Sequence, residues 1–371
     1  MIKKAFFCTV AVCLFALGSV WSQSEDTTVL APPINDGPYV YWKAPSEAIV
    51  FYLCADTLQK HTVTGTDTVR FTGYCTDTGV TYAIPVTPPE IQPDVHDGVS
   101  RVFAVSDLHG WYDMFVAMLQ GAGVVDDNLN WTWGDGHLVV NGDVFDRGAY
   151  VNEILWLIYR LEQEALSAGG RVHLTLGNHE LMVIRGDNRY VNEKYIDGIA
   201  RKTRIKPEDL YGPDMELGRW LRTKHTAIKI NDILFVHGGI EPGAVERGLT
   251  IRDINEIARA HLDDRSYARA FDEDVRYSYG SLGPFWYRGY FDESKKYAKA
   301  TQQDLIAVLA HFGAESVVVG HTGVDRVESL YDGLVYAIDI PEDDPALWQG
   351  LLWEKGRFYR VFASGKREVI E

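Results

Sequence analysis

The sequence predicts an α/β domain with a small antiparallel β unit on its N-terminal side, and three observations predict it. Five short apolar runs of strand type each lead into a loop that sets Asp, His or Asn beside Gly. They are S-D-L-H-G at 106–110, G-D-V-F-D-R-G at 142–148, G-N-H-E at 177–180, F-V-H-G-G at 235–239 and V-V-G-H-T at 318–322. Stretches of helical periodicity separate these runs, which is the pattern of an α/β layer architecture. Before the first run, residues 27–97 change to short Val-, Tyr-, Phe- and Thr-rich pieces broken by turn formers at hairpin spacing.

At the start, Lys3 and Lys4 precede an apolar run over 5–20, followed by Trp21, Ser22 and Gln23. A charged n-region, an apolar core and a small residue at its end predict a secretory signal peptide over 1–22, cleaved after Ser22. An uncleaved anchor is the alternative. The run is short for a membrane span, so no stable membrane insertion is expected after cleavage, and the mature chain is expected to be exported, periplasmic or secreted.

Runs at 39–42, 48–54, 60–64, 68–74 and 81–86 predict the strands of the β unit, with Gly65, Asp67, Gly73, Asp77 and Gly79 in its turns. A Pro-rich linker at 85–93 closes it. Cys54 and Cys75 are the only cysteines beyond the signal peptide. One disulfide is expected for an exported chain, and two buried reduced thiols are the alternative.

The larger domain, 98–371, begins with strand-like runs at 102–105, 137–140 and 172–176. Between them, 112–120 reads as a short helix with Phe115, Met118 and Leu119 on one side, stopped by Gly121 and Gly123. Residues 150–168 read as a helix with Ile154, Ile158 and Leu161 on one face, ended by Gly169 and Gly170. A polar, helical insertion is expected over 180–233. A second one over 250–279, rich in Arg, Asp and Tyr, reads as a solvated helical surface or a rim over a site. An amphipathic helix at 301–312 feeds a strand at 316–319, and 335–338 is expected to be the last central strand.

The formal net charge is −16, and removing two lysines with no acid takes it to −18. Such a chain repels phosphate backbones, and no basic stretch offsets this, so a nucleic-acid partner is not expected.

Strand-end Asp and Asn are ordinary turn formers, and one His is ordinarily a core residue. Five such blocks in order instead predict a metal site with oxygen and imidazole ligands. The series resembles the calcineurin-like metallophosphoesterases, specifically the phosphoprotein phosphatase branch. The pattern there is GDxHG, GDxxDRG, GNHE, HGG and a late His; Ser106 replaces the usual first Gly. R-G-D-N-R-Y at 185–190, G-P-F-W-Y-R-G-Y at 283–290 and G-A-E-S-V-V-V-G-H-T at 313–322 resemble the Shewanella-like protein phosphatases. The resemblance covers about residues 102–340 and leaves the N-terminal region unexplained.

That resemblance implies a metallophosphoesterase-type αββα sandwich and two divalent or mixed-valence ions (Mn, Fe or Zn). Asp107, His109 and Asp143 would hold the first ion; Asp143 would bridge to a second completed by Asn178, His237 and His321. A hydroxide bridging the two would be the in-line nucleophile. His179 follows Asn178 directly, so the two side chains diverge, and His179 becomes the candidate general acid with Asp146 behind it. The alternative for His179 is another ligand. Arg147 and Arg288 would clamp the phosphoryl oxygens, although Arg288 also fits a surface packing cluster with Trp286 and Tyr287. Gly323 stands where many metallophosphoesterases carry a second His, which argues against the cyclic-nucleotide and nuclease branches.

The function expected is an exported phosphatase acting on phosphorylated protein or a small phosphomonoester. The resemblance to the Shewanella-like group implies a lean toward phosphotyrosine, which ring contacts from Trp286, Tyr287 and Tyr290 near Arg288 would favour. A dinucleoside polyphosphate or nucleotide hydrolase is the runner-up. The reading from another class is a metal-stabilised binding protein whose β unit docks a partner.

Overall fold

Alternation along β11 (Ile233–Val236) and β12 (Ser316–Val319) shows how the core is divided. Phe235 and Val318 face inward into a large central cluster, whereas Leu234, Val236, Val317 and Val319 face outward into a second one. This is the period of two expected of a sheet covered on both faces. The computed structural model describes residues 33–370, so the expected signal peptide lies outside the described residues. Among the described residues no helix is long and apolar enough to cross a membrane.

The N-terminal region forms an antiparallel sheet of β1 (Asp36–Ala44), β2 (Glu47–Cys54) and β3 (Thr57–Thr64), and a hairpin of β4 (Thr68–Thr72) and β5 (Thr81–Pro85). Ala55 and Asp56 join β2 to β3 with φ of 44° and 62°, the positive pair a two-residue hairpin turn demands. Cys54 and Cys75 form a disulfide with Cα atoms 5.7 Å apart, tying the end of β2 to the loop between β4 and β5. The sheet is seated on the rest of the chain by polar contacts. Pro38 O accepts hydrogen bonds from Trp156 Nε1 at 2.8 Å and Asn152 Nδ2 at 3.3 Å, and Lys194 pairs with Asp36 and Glu153.

After β6 (Val95–His96), the chain builds two six-stranded sheets. In the first, β7 (Arg101–Val105), β8 (His137–Val140) and β9 (Arg171–Leu174) run parallel. They are linked by α1 (Tyr112–Ala122) and α2 (Val151–Ser167), while α3 (Asn178–Ile184) follows β9. In the second, β10 (Ala227–Ile230) pairs antiparallel with β11. The strands β11, β12 and β14 (Val335–Ala337) are mutually parallel, with β13 (Glu328–Leu330) antiparallel at one edge and β6 at the other. Asn141 Nδ2 bridges the sheets, donating to Val236 O and Val318 O. Helix α1 and helix α2 belong to the central core. On the other side, α7 (Gln302–Phe312) buries Leu305, Val308 and Leu309 in the outer cluster, so the expected α/β sandwich is present.

Two expectations are corrected and one is met. The stretch read as a polar insertion contains β10, and its helix α4 (Glu216–Leu221) buries Leu217, Trp220 and Leu221. As expected, the second insertion is helical, α5 (Ile251–Ala260) and α6 (Glu273–Tyr279); it buries Ile254, Ala258, Val275 and Tyr279 on one face and leaves Arg252 and Glu256 exposed on the other. The last central strand is β15 (Gln349–Glu354), not β14: it lies antiparallel beside β7, and β16 (Arg357–Phe362) and β17 (Arg367–Val369) extend that sheet. Lys355 and Gly356, with φ of 52° and 76°, turn this last long hairpin.

Candidate metal centre

Parallel strands deliver their C-terminal loops to one edge, and the five motif loops meet there. Six side chains of these loops belong to non-glycine residues with positive φ: Asp107, His109, Asp143, Asp146, Arg147 and His321, between 41° and 75°. Such backbone is costly for L-residues and persists where surrounding structure holds it, characteristically at functional sites. Much of that hold comes from Glu180. Its buried carboxylate accepts N–H bonds from Gly177, Asp143, Val144 and Phe145, at 2.6–3.3 Å, joining two loops. Burial and the nearby Asp143 charge push Glu180 up to about 7, against the pull of those donors.

Asp143 is the hub. Its Oδ2 lies 3.1 Å from His237 Nε2, 3.8 Å from His179 Nε2 and 4.0 Å from His109 Nε2. Burial alone would raise its pKa, but the imidazoles, His237 first, hold it far below the usual carboxylate range. His109 Nδ1 pairs with Phe145 O and His237 Nδ1 with Asn141 O, both at 2.8 Å, which leaves each Nε2 facing the centre. Asn178 Oδ1 is 3.1 Å from His237 Nε2. His321 Nε2 is buried with no hydrogen-bond partner among the described residues. Burial, then the charges of His237 and Arg288, keep that imidazole well below its ordinary value, hence neutral.

Two groups of three, Asp143 with His109 and His179, and Asp143 with His237 and His321, each bring ligand atoms within 4.8 Å of one another. A carboxylate shared by two clusters, imidazoles oriented by backbone carbonyls and one orphaned buried nitrogen fit a dinuclear site for borderline metals. Asp107 completes the set from the side. Its Oδ1 lies 3.9 Å from His109 Nε2, and its Oδ2 accepts from His321 N at 3.0 Å. Ser106 Oγ stands 2.6 Å from that Oδ2 and 2.9 Å from Asn141 O, so its proton is shared between two acceptors. The approach is close enough to require Gly320, where a Cβ would stand 2.1 Å from Ser106 Oγ.

The calcineurin-like phosphoesterase profile matches residues 100–325, which spans all five loops. The chain belongs to the calcineurin-like phosphoesterases. It is 36% identical to the cold-active protein-tyrosine phosphatase of a psychrophilic Shewanella species, whose crystal structure superposes with a TM-score of 0.81. That match covers 91% of this chain and 99% of the other. Shewanella-like protein phosphatase 1 of Plasmodium berghei is 30% identical over 223 residues, covering 60% of this chain and 61% of the relative; the chain therefore spans less than two thirds of that protein. Shewanella-like protein phosphatase 2 of Arabidopsis thaliana is 28% identical over 296 residues.

Around the phosphoesterase centre, His179 differs from the other imidazoles. Its Nδ1 is 2.6 Å from Asp146 Oδ2. Burial would depress it, but that hydrogen bond and the Asp143 charge outweigh burial and raise it. His179 opens into a cleft of about 720 Å³ that Arg147, Arg288 and Trp286 also line.

Tyr287 and Tyr290 do not reach this cleft. They are buried beneath the 237–239 loop against Gly239, and the Tyr290 hydroxyl bonds the Ile240 backbone, so ring contact with substrate from these two is ruled out. Tyr190 and Tyr267, from two other loops, line the cleft with Trp286 instead. Sequence reading also passed over Asp339, which follows β14 as the motif acids follow their strands. Burial and then the Asp107 charge push it up to about 8. The signal was the same strand-then-Asp pattern in Y-A-I-D, without a neighbouring Gly or His to mark it.

Proposed function

We propose that the chain is a metal-dependent phosphatase of phosphorylated proteins or small phosphomonoesters, with His179 as its general acid. One observation carries this reading: an imidazole held by a carboxylate at 2.6 Å, beside Asp143, in a cleft that Arg147 and Arg288 also line. Asp107, His109, Asp143, Asn178, His237 and His321 would hold two ions. When bound, these supply Lewis acidity and a nucleophile at neutral pH. Arg147 and Arg288 orient the phosphoryl group by forked hydrogen bonds. With Nδ1 tied to Asp146, His179 presents Nε2–H to the departing oxygen; the P–O bond breaks and the proton moves to that oxygen. Asp146 stabilises the imidazolium before transfer. Trp286, Tyr190 and Tyr267 favour an aromatic phosphoester, and the similarity to the cold-active protein-tyrosine phosphatase of Shewanella supports that preference.

An acid matters most for a poor leaving group, and general acid catalysis contributes roughly 10²–10⁴-fold. His179→Asn therefore slows phosphoserine hydrolysis most, phosphotyrosine less and a nitrophenyl ester least, with bound metal unchanged. Equal losses on all three, or loss of metal, would remove His179 from this role. The disulfide supports an exported location. Mass analysis of exported protein is expected to show a start near Gln23; an intact Met1 there would rule out cleavage.

A further inference from the structure

We propose that Arg265 and Arg189 build a subsite for a second anionic group, so that the preferred substrate is a phosphopeptide carrying an acidic or phosphorylated neighbour. This rests on the phosphatase reading and names its substrate class. The cleft beside His179 is lined by Arg147, Arg185, Arg189, Arg265 and Arg288, and among the described residues Asp187 is the one carboxylate on that wall. The whole chain has 52 acidic residues against 36 basic ones, so composition does not account for this concentration of guanidinium groups. A single phosphoryl group is satisfied by Arg147 and Arg288. Arg185 is committed inward: it donates to Leu262 O and His261 O at 3.0 and 2.8 Å and lies 4.0 Å from the Tyr279 ring centre.

Two arginines remain. Arg189 holds Asp187 by a fork at 2.8 and 2.7 Å, with its side chain 64% exposed. Arg265, 60% exposed, comes no closer than 3.6 Å to Glu208, which also accepts from Asn188. A Cβ at Gly186 would lie 3.1 Å from Arg265 Nη2, so this guanidinium rests over the backbone that leads into Asp187 and Arg189. Among the described residues Arg265 therefore keeps N–H donors directed at no acceptor, beside a second guanidinium and at the rim of the phosphoryl cleft. A planar fork in that position matches a carboxylate or a phosphoryl group. Elsewhere the acidic surface repels an acidic peptide, which makes the preference local to this wall.

The test uses metal-loaded full-length protein. Wild type is assayed on nitrophenyl phosphate, then on phosphotyrosyl peptides that differ only in the flanking residues: Gln, Glu, or a phosphonate analogue of phosphoserine. The expected result is a preference on the order of tenfold in kcat/KM for the anionic flanks over Gln, carried by KM and shrinking in about 0.5 M salt. A larger gain from the phosphonate assigns the subsite to a second phosphoryl group, and equal gains assign it to carboxylates. Arg265→Gln brings the anionic-to-neutral ratio towards one, and Arg265→Glu inverts it. A wild-type ratio near one while esters are hydrolysed, or a ratio that survives both Arg265→Gln and Arg189→Gln, overturns the subsite. Failure to hydrolyse any ester overturns the phosphatase reading instead.

Discussion

The two ends of the central strands pack histidines to the same density, but the motif end sets buried carboxylates among them. At the motif end, the ring centres of His109 and His179 are 4.7 Å apart and those of His237 and His321 5.1 Å. At the far end, His96, His137 and His173 form a triangle with sides of 4.7, 5.0 and 5.2 Å. Burial acts on both groups. At the motif end Asp143 and Asp107 override it at His237, pushing that imidazole up to about 10, whereas burial keeps His109 and His321 below their ordinary value. At the far end burial prevails, reinforced by the charges of His96 and Arg171, and takes His137 down to about 4. His173 Nε2 and His137 Nδ1, 3.0 Å apart, share one hydrogen bond, which requires a lone pair and thus a neutral ring. The carboxylates, rather than the number of histidines, make one end a candidate cation site and leave the other a neutral cluster.

The sharpest way to break this comparison is to remove the hub charge. Asp143→Asn is expected to lower activity at least about 10³-fold and to reduce bound metal, with circular dichroism unchanged. Two bound ions and normal turnover in that variant would end the bridging assignment. The far end predicts an effect on stability instead. The folded pKa of His137 lies below its unfolded value of 6.5, so the unfolded chain binds more protons as the pH falls. The stability from burying the neutral ring is therefore complete above about 6.5 and lost progressively as pH falls towards about 4, on the order of 2–4 kcal/mol. Urea unfolding across that window, compared with His137→Asn, measures it; identical slopes in the two proteins would contradict the assignment.

The motif end was legible because its candidate ligands sit in short turns whose conformation leaves a local trace. Gly142, Gly177 and Gly320 each border a ligand so closely that a Cβ would fall within 2.9 Å of a neighbouring loop. Asp339 occupies an equivalent strand end without such a glycine, and it went unread. The cleft wall left no local trace at all. Arg265 approaches Gly186, and Tyr267 approaches Arg185, from a segment about 80 residues away in sequence, and the packing of α5 and α6 brings them there. Tyr287 and Tyr290 illustrate the converse error. They flank Arg288 in sequence, but the loop turns them inward and leaves Arg288 exposed. The hairpin from β15 to β16 did carry a signal, a Lys-Gly turn between two apolar runs, but placing β15 beside β7 is a choice made by the tertiary fold.

The smallest effect separates what the carboxylates do from what merely steadies them. Ser106 is where this chain departs from the usual glycine, and its hydroxyl contacts Asp107 Oδ2 at 2.6 Å, opposite the N–H of His321. Ser106→Gly removes one of two hydrogen bonds on that oxygen and opens space against Gly320, yet leaves every charge in place. If charge sets the character of this end, the loss is that of one shared hydrogen bond, about 0.5–1.5 kcal/mol, or roughly two- to tenfold in metal affinity. Titration of the apo protein with Mn²⁺ reads this directly, independently of turnover. A collapse of affinity comparable to that of Asp143→Asn would mean that loop geometry, held through the Ser106 hydroxyl, matters as much as the carboxylate charge. A value within the expected range leaves the carboxylates as the cause, with Ser106 fixing only the direction in which one of them points.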